Sequence, residues 1–200
     1  MSKFTAVIAT TVMAALGLGA AASMPEDTKL VEKWKDRSFF SLKSTSLDGK
    51  PVDLKDYEGK VVLVVNVASK CRLTPQYEGL EKLYRELKDK DLVVIGFPSN
   101  DFGNQEPGTA EEIQSFCSTK YSVTFPMMAK VQTKSGEGQA EIYEFLGTRT
   151  GKLPGWNFSK YLIGRDGKTI TFFDSKTRPD AKELREAIDK ALVPAARAAN

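Results

Sequence analysis

The stretch Val61–Tyr77, VVLVVNVASKCRLTPQY, runs an apolar strand straight into a single cysteine. Val61–Val67 is a near-continuous run of β-branched residues, the composition of a central strand covered on both faces. Beyond Cys71 the chain passes Pro75, and Leu80, Leu83, Tyr84 and Leu87 then recur at i, i+3, i+4 and i+7, the apolar stripe of a helix. This spacing places Cys71 at or just before a helix N-terminus, where unpaired N–H groups and the helix dipole favour thiolate over thiol. A thiol–disulfide oxidoreductase would carry a second cysteine three positions on, as C-x-x-C; Thr74 occupies that position. A single activated thiolate suits attack on something other than a partner disulfide, with peroxide the leading candidate.

Composition narrows the chemistry further. The 200 residues contain no histidine, so Ser-His-Asp and Cys-His nucleophile pairs are excluded, as are zinc sites with histidine ligands. Activation of Cys71 must come from hydrogen-bond donors, a helix terminus or Lys/Arg, and no metal or cofactor is expected. Charged residues make up 28% of the chain with a net charge of +3, and acidic and basic residues are interleaved. That pattern describes a solvated surface and argues against nucleic-acid binding.

The N-terminus reads as a signal peptide over residues 1–23: Lys3, an apolar core from Phe4 to about Leu18, then Ala20-Ala21-Ala22-Ser23 as cleavage context. An exported protein, periplasmic or secreted, is therefore expected, in a setting where disulfides persist. No later segment holds eighteen consecutive apolar residues, so no membrane insertion is expected once the leader is removed.

Residues 24–200 read as one domain. A short amphipathic segment surrounds Leu30, Val31 and Trp34. Phe39–Thr45 and Pro51–Leu54 form a hairpin across Asp48-Gly49, and Leu92–Phe97 is a second buried strand. Thr109-Ala110-Glu111-Glu112 is a capping box opening a helix through Cys117. Residues 140–147 read as helix, Tyr161–Ile163 and Thr169–Phe173 as a second hairpin around Asp166-Gly167. Pro179 starts the last helix, with Leu184, Ala187, Ile188 and Ala191 on one face. A hairpin, a βαβ unit, a helix, a hairpin and a terminal helix give an α/β mixed sheet with helices on both faces.

NVASKC followed by one residue and LTPQY resembles the active-site segment of the glutathione peroxidase family. Two further segments, Phe97–Gly108 (FPSNDFGNQEPG) and Trp156–Phe158 (WNF, followed by SKYLIGRDGK), resemble the same family in order and rough spacing. The likeness runs from about Phe39 to about Leu192. It implies a thioredoxin-like fold, a central mixed β-sheet flanked by helices with an N-terminal β-hairpin extension, and reduction of hydroperoxides by a peroxidatic cysteine. The short segment between Phe145 and Trp156 resembles the monomeric branch, whose exposed site accepts bulky lipid hydroperoxides.

On that resemblance Cys71 is the nucleophile, with Gln105, Trp156 and Asn157 as its polar partners. The Gln and Asn amides and the indole N–H can all donate, and aimed at sulfur they would stabilise both the thiolate and the charge developing on the leaving oxygen. Two departures stand out. Arg72 occupies a position usually glycine, and Ser99 and Asp101 replace the cysteine and glutamine of the family's FPCNQF segment. A cysteine at the reacting position resembles the non-animal members, which implies a resolving cysteine and a thioredoxin-type dithiol more than glutathione as reductant. Cys117 is the candidate, in a helix matching the family's resolving site. Its position beside Ile113 and Phe116 equally suits an inert core thiol, and export equally suits a permanent Cys71–Cys117 disulfide. Two other functions remain open at this level: an exported thioredoxin-like thiol–disulfide oxidoreductase, and a disulfide-stapled binding module without catalysis.

Overall fold

The structure, a computed structural model, describes residues 26–193. The signal-peptide expectation for residues 1–23 lies outside them. Six strands and five helices follow in the order α1 (Glu26–Trp34), β1 (Lys43–Thr45), β2 (Pro51–Asp53), β3 (Val61–Val67), α2 (Gln76–Leu87), β4 (Leu92–Pro98), α3 (Ala110–Tyr121), α4 (Glu141–Thr150), β5 (Lys160–Ile163), β6 (Ile170–Phe173) and α5 (Lys182–Leu192).

The main sheet has the order β4-β3-β5-β6, with β3 parallel to β4 and antiparallel to β5, and β5 antiparallel to β6. Every residue of β3 and β4 is buried, as their composition, apolar apart from Asn66, requires. The two-residue period then divides their side chains between two cores. Val61, Leu63, Val65 and Val67 join Leu92 and Val94 on one face, with α2, α3 and α5. Val62 and Val64 join Val93, Ile95 and Phe97 on the other, with Trp34 of α1 and Ile142, Tyr143, Phe145 and Leu146 of α4. Each such side chain contributes about 1.5–3 kcal/mol of burial, an upper bound because the unfolded chain is itself partly compact. The free edge of β4 is covered by the 126–131 segment, where Gly96 N–H donates to Pro126 O at 2.9 Å and Met128 N–H to Gly96 O at 2.8 Å.

The first hairpin is shorter than its sequence suggested. β1 and β2 pair antiparallel over three residues each, while Phe39–Ser41 forms a 3₁₀ turn capped by the Ser38 hydroxyl, which accepts from Phe40 N–H. A strand would send adjacent Phe39 and Phe40 to opposite faces; the turn lets both rings enter the core. The α1 segment also differs from an amphipathic stripe. Among its residues whose burial is described, Trp34 alone is fully buried, docked edge-on to Phe145 at 5.4 Å with its indole N–H on Glu144 Oε1 at 2.9 Å, and Val31 is 55% exposed. The last helix begins at Lys182, three residues after Pro179, which packs against α2 where a Cβ on Gly79 would stand 3.1 Å from its ring.

Candidate active site

Cys71 lies at the C-terminal end of β3, the end where an open α/β sheet collects its functional loops. Helix α2 begins at Gln76, so the cysteine opens a short run of turns ahead of the helix, five residues from its first residue. Thr74 N–H donates to Cys71 O at 3.0 Å, Gln76 N–H to Leu73 O at 2.9 Å and Tyr77 N–H to Thr74 O at 3.0 Å. The N–H that meets the sulfur is that of Leu73, at 3.4 Å from Sγ. The sulfur's own residue is held from behind: Thr74 Oγ1 accepts from Cys71 N–H at 2.9 Å and donates to Ala68 O at 2.8 Å. Thr74, standing where C-x-x-C chemistry needs sulfur, is thus a buried brace for the loop. Cys71 is 7% exposed, enough for a small electrophile to reach it from one side.

Gln105 is delivered by a tight loop after β4. Gly103 and Asn104 both have positive φ, +64° and +52°, and a Cβ on Gly103 would stand 3.2 Å from Gln105 Nε2. Gln105 O accepts from Lys70 N–H at 3.0 Å, which ties this loop to the residue next to Cys71. Its side-chain Oε1 accepts from Asn157 Nδ2 at 3.0 Å. Asn157 is fully buried, and its Oδ1 has no hydrogen-bond partner among the described residues. Trp156 is 40% exposed and packs its ring 5.8 Å from Phe102. Cys71, Gln105 and Asn157 are therefore joined by a chain of two hydrogen bonds through Lys70, with Trp156 beside Asn157. One amide donor of Asn157 is spent on Gln105 and leaves Gln105 Nε2 as the free amide end.

The WNF segment is held by a residue that motif reading passed over. Asn66, buried in β3, donates from Nδ2 to Trp156 O at 3.1 Å and accepts at Oδ1 from Ser159 N–H at 2.9 Å. Phe158 N–H donates to Asn66 O at 2.6 Å. Phe158 adopts φ +68°, strained for a residue with a Cβ. Its buried ring, edge-on to Tyr77 at 5.4 Å, fixes that conformation, which turns Asn157 inward while Trp156 stays at the surface. The sequence signal for Asn66 was present: a lone amide interrupts VVLVVNV.

The departures from the family pattern resolve into local structure. Asp101 Oδ2 accepts from Thr133 N–H at 2.5 Å, Thr133 Oγ1 at 2.8 Å and Lys134 N–H at 3.1 Å. Burial raises its carboxyl, but these donors outweigh burial and hold it below the usual carboxylate range. This carboxylate is consumed in fastening loop 101–104 to the 133–134 turn. Ser99 is fully buried, its N–H on Val67 O at 3.0 Å. Arg72 is exposed and borders a groove of about 760 Å³ between α2 and the 176–185 segment. Glu106 is buried with Oε2 unpartnered, and burial pushes its carboxyl up.

Cys117 sits on the buried side of α3 beside Ile113, with Phe116 half-buried next to it. Both cysteines are free thiols, and both belong to the same apolar core. Burial pushes the Cys117 thiol up to about 11, opposed by the Tyr77 hydroxyl beside it and reinforced by the Glu106 carboxyl. In this state Cys117 is a protonated, poorly nucleophilic thiol.

The family model for glutathione peroxidase matches residues 39–147. The hydroperoxy fatty acid reductase Gpx2 of Synechocystis is 50% identical over 148 residues, spanning 74% of this chain and 95% of the relative. The glutathione peroxidase-like peroxiredoxin gpx1 of Schizosaccharomyces pombe is 45% identical, spanning 72% of this chain and 94% of the relative. Among solved structures, apo Trgpx superposes with a TM-score of 0.63 at 39% identity, covering 78% of this chain and 96% of that one. The chain belongs to the glutathione peroxidase family, and is a peroxidase built on a thioredoxin-like fold.

Proposed function

We propose that this chain is a thiol peroxidase in which the Cys71 thiolate attacks the terminal oxygen of a hydroperoxide. The S–O bond forms as the O–O bond breaks; the departing alkoxide takes up a proton to leave as the alcohol, and Cys71 becomes a sulfenic acid. The observation that carries this reading is the placement of Cys71 at the end of β3 with Leu73 N–H on its sulfur and the linked Gln105–Asn157 amides on the neighbouring loops. Leu73 N–H steadies the anion. Gln105 Nε2 and the indole of Trp156 are the donors available to the leaving oxygen.

The second half of the cycle is a condensation. The Cys117 thiol attacks the sulfenic sulfur, an S–S bond forms, and the hydroxyl leaves as water with the thiol proton. A thioredoxin-type dithiol then reduces the Cys71–Cys117 disulfide, a reading supported by the relative that is named a peroxiredoxin. The relative named a hydroperoxy fatty acid reductase supports lipid-derived hydroperoxides among the substrates. The leader-like first 23 residues support action outside the cytoplasm, and the short segment between Phe145 and Trp156 supports a monomer.

The test is Cys71→Ser, a one-atom change that leaves the fold intact. Peroxide consumption is expected to vanish, and one equivalent of hydrogen peroxide should give no sulfenic acid and no disulfide by mass spectrometry. Turnover above a few per cent of wild type would remove Cys71 from the peroxidatic role.

A further inference from the structure

Lys160 opens β5 three residues after Asn157, its backbone paired with Val65 of β3 and Phe173 of β6. Its side chain is fully buried on the face of the sheet that α2 covers. Nζ donates to Gln76 Oε1 at 2.5 Å and to Thr177 O at 2.5 Å. Gln76 is the first residue of α2. Its Nε2 donates to Ser175 O at 2.8 Å, and its backbone N–H donates to Leu73 O at 2.9 Å. Leu73 in turn supplies the N–H that the Cys71 sulfur accepts.

We propose that Lys160 is a positioning residue of the peroxidatic site: its ammonium holds Gln76, and through Gln76 the Leu73 turn, so that the Leu73 N–H stays on the Cys71 sulfur. The proposal rests on the peroxidase reading above. A buried ammonium facing two neutral acceptors gives stability a weak reason for its presence, since apolar side chains of similar size commonly replace buried charges without loss. The chain of contacts supplies another reason. Lys160 leaves the strand that follows the WNF segment and reaches the turn that carries the cysteine. It thereby sets the two halves of the site against each other. Nor can the two arms drift separately, because the Thr177 carbonyl and the Ser175 carbonyl bind the same lysine–glutamine pair.

Burial pushes the lysine down to about 7, opposed by the Asp174 carboxylate. The groups that meet the side chain are the neutral Gln76 amide from α2 and the 174–177 segment, whose charged residues are Asp174 and Lys176. Its strand neighbours Val65 and Phe173 are apolar. The clamp is therefore charge-assisted below about pH 7 and weaker above it.

The experiment compares wild type with Lys160→Met, Gln76→Ala and the double variant, each checked for folding by circular dichroism. The second-order rate of Cys71 oxidation by hydrogen peroxide is expected to fall about tenfold in each single variant, and no further in the double, because both break one chain. Alkylation of Cys71 by iodoacetamide, followed on its peptide by mass spectrometry from pH 6 to 9, is the second readout. The ratio of wild-type to Lys160→Met rates should be largest below about pH 7 and shrink above it, a trend that a merely loosened fold would not give. Wild-type rates in folded Lys160→Met, a pH-independent ratio, or a double variant that loses the product of the single losses would each overturn the proposal. Should Lys160→Met fail to fold, Gln76→Ala breaks the same chain from the other side, and a wild-type rate there is equally fatal. If wild type consumes no peroxide, the peroxidase reading falls, while the alkylation rates still decide the role of Lys160.

Discussion

Asn66→Ala tests whether the WNF segment is positioned from β3. The side chain is 1% exposed and makes two hydrogen bonds, one given to Trp156 O and one accepted from Ser159 N–H. Their loss is unequal. Trp156 O keeps the Ser159 hydroxyl at 3.1 Å, so it stays satisfied, whereas the N–H of buried Ser159 is orphaned. An orphaned buried donor costs about 1–3 kcal/mol. The space left by the amide adds about 1 kcal/mol if the neighbours relax only in part. A total of about 2–4 kcal/mol follows, and a middle value of 3 kcal/mol corresponds to roughly 6–12 °C in Tm for a chain of this size. Urea unfolding followed by circular dichroism measures the first quantity, with an unchanged m-value expected. Stopped-flow reaction with hydrogen peroxide measures the consequence for the site. Trp156 and Asn157 lose their tether, and the second-order rate should drop at least about tenfold. A destabilisation under about 0.5 kcal/mol together with a wild-type rate would refute the reasoning.

Gln105→Ala and Trp156→Phe should each slow the reaction with peroxide, since each removes a donor; such losses cost on the order of 2.7–4 kcal/mol in oxyanion holes, and less is expected where Leu73 N–H remains on the sulfur. Unchanged second-order rates in both variants would dissolve the site as assembled here. Cys117→Ser should react once with peroxide, stop at a Cys71 sulfenic acid, and resist recycling by a thioredoxin-type dithiol. Should wild type itself accumulate sulfenic acid without a Cys71–Cys117 bond, resolution belongs to an external thiol such as glutathione. The same variant reports on pH. A thiol raised to about 11 in the folded state contributes stability that is fully present below its unfolded value near 8.5 and lost as pH rises through about 11. The stability gap between wild type and Cys117→Ser should therefore narrow by roughly 3 kcal/mol over that interval, and a constant gap would contradict the burial argument.

Most of the fold could be read from periodicity because the buried strands carry so few polar interruptions. Val61–Val67 announced itself as a central strand and Leu92–Phe97 as a second buried one, and the Leu80, Leu83 and Leu87 stripe fixed α2. The capping box at Thr109 and Glu112 is formed, with Thr109 N–H on Glu112 Oε2 at 2.8 Å. What periodicity could not resolve was the conformation of short segments whose course is set by packing. Phe39–Ser41 turns because two adjacent rings share a core, and Cys71–Pro75 remains non-helical because Thr74 bonds backward to Ala68 instead of outward. Motif resemblance supplied Cys71, Gln105, Trp156 and Asn157 as neighbours; the structure links Gln105 to Lys70 and to Asn157 by hydrogen bonds and sets Trp156 against Phe102. The resemblance could not show that Asn157 spends its amide on Gln105, nor that Leu73 meets the sulfur, since both depend on side-chain and loop geometry at the ångström scale. Lys160 and Asn66 were legible only as anomalies, a lysine opening an apolar strand and an amide inside a valine run. Polar residues in such places are the ones whose partners sequence spacing cannot name.

The two helices that meet the cysteines differ in how firmly they are held, and that difference bears on resolution. Six of the twelve residues of α2 are buried, and its first turn is pinned by Lys160 and Ser175. In α3 only Ile113 and Cys117 of twelve are buried, with Phe116 and Tyr121 half-covered. Two buried side chains at about 1.5–3 kcal/mol each make α3 the cheaper helix to open, against a stability of about 5–15 kcal/mol for a domain. The segment just after α3 is stapled from α2, where the Glu81 carboxylate accepts from Thr124 N–H at 2.8 Å and Arg85 donates to Ser122 O at 3.1 Å. Opening should then start at the capping box and run toward Cys117, leaving the 122–124 staple intact. A motion of that kind frees Cys117 from the apolar surroundings that keep it protonated, so one event would both move the thiol and restore its reactivity. On the proposed cycle the division of labour is physical: Cys71 sits on the rigid side, where a donor must hold position for an anion, and Cys117 sits on the side that can let go. Amide exchange gives the distinguishing measurement, because residues 110–117 should lose protection in the disulfide form while 118–124 retain it. Loss of protection spread evenly over α2 and α3 would mean that the staple does not separate them.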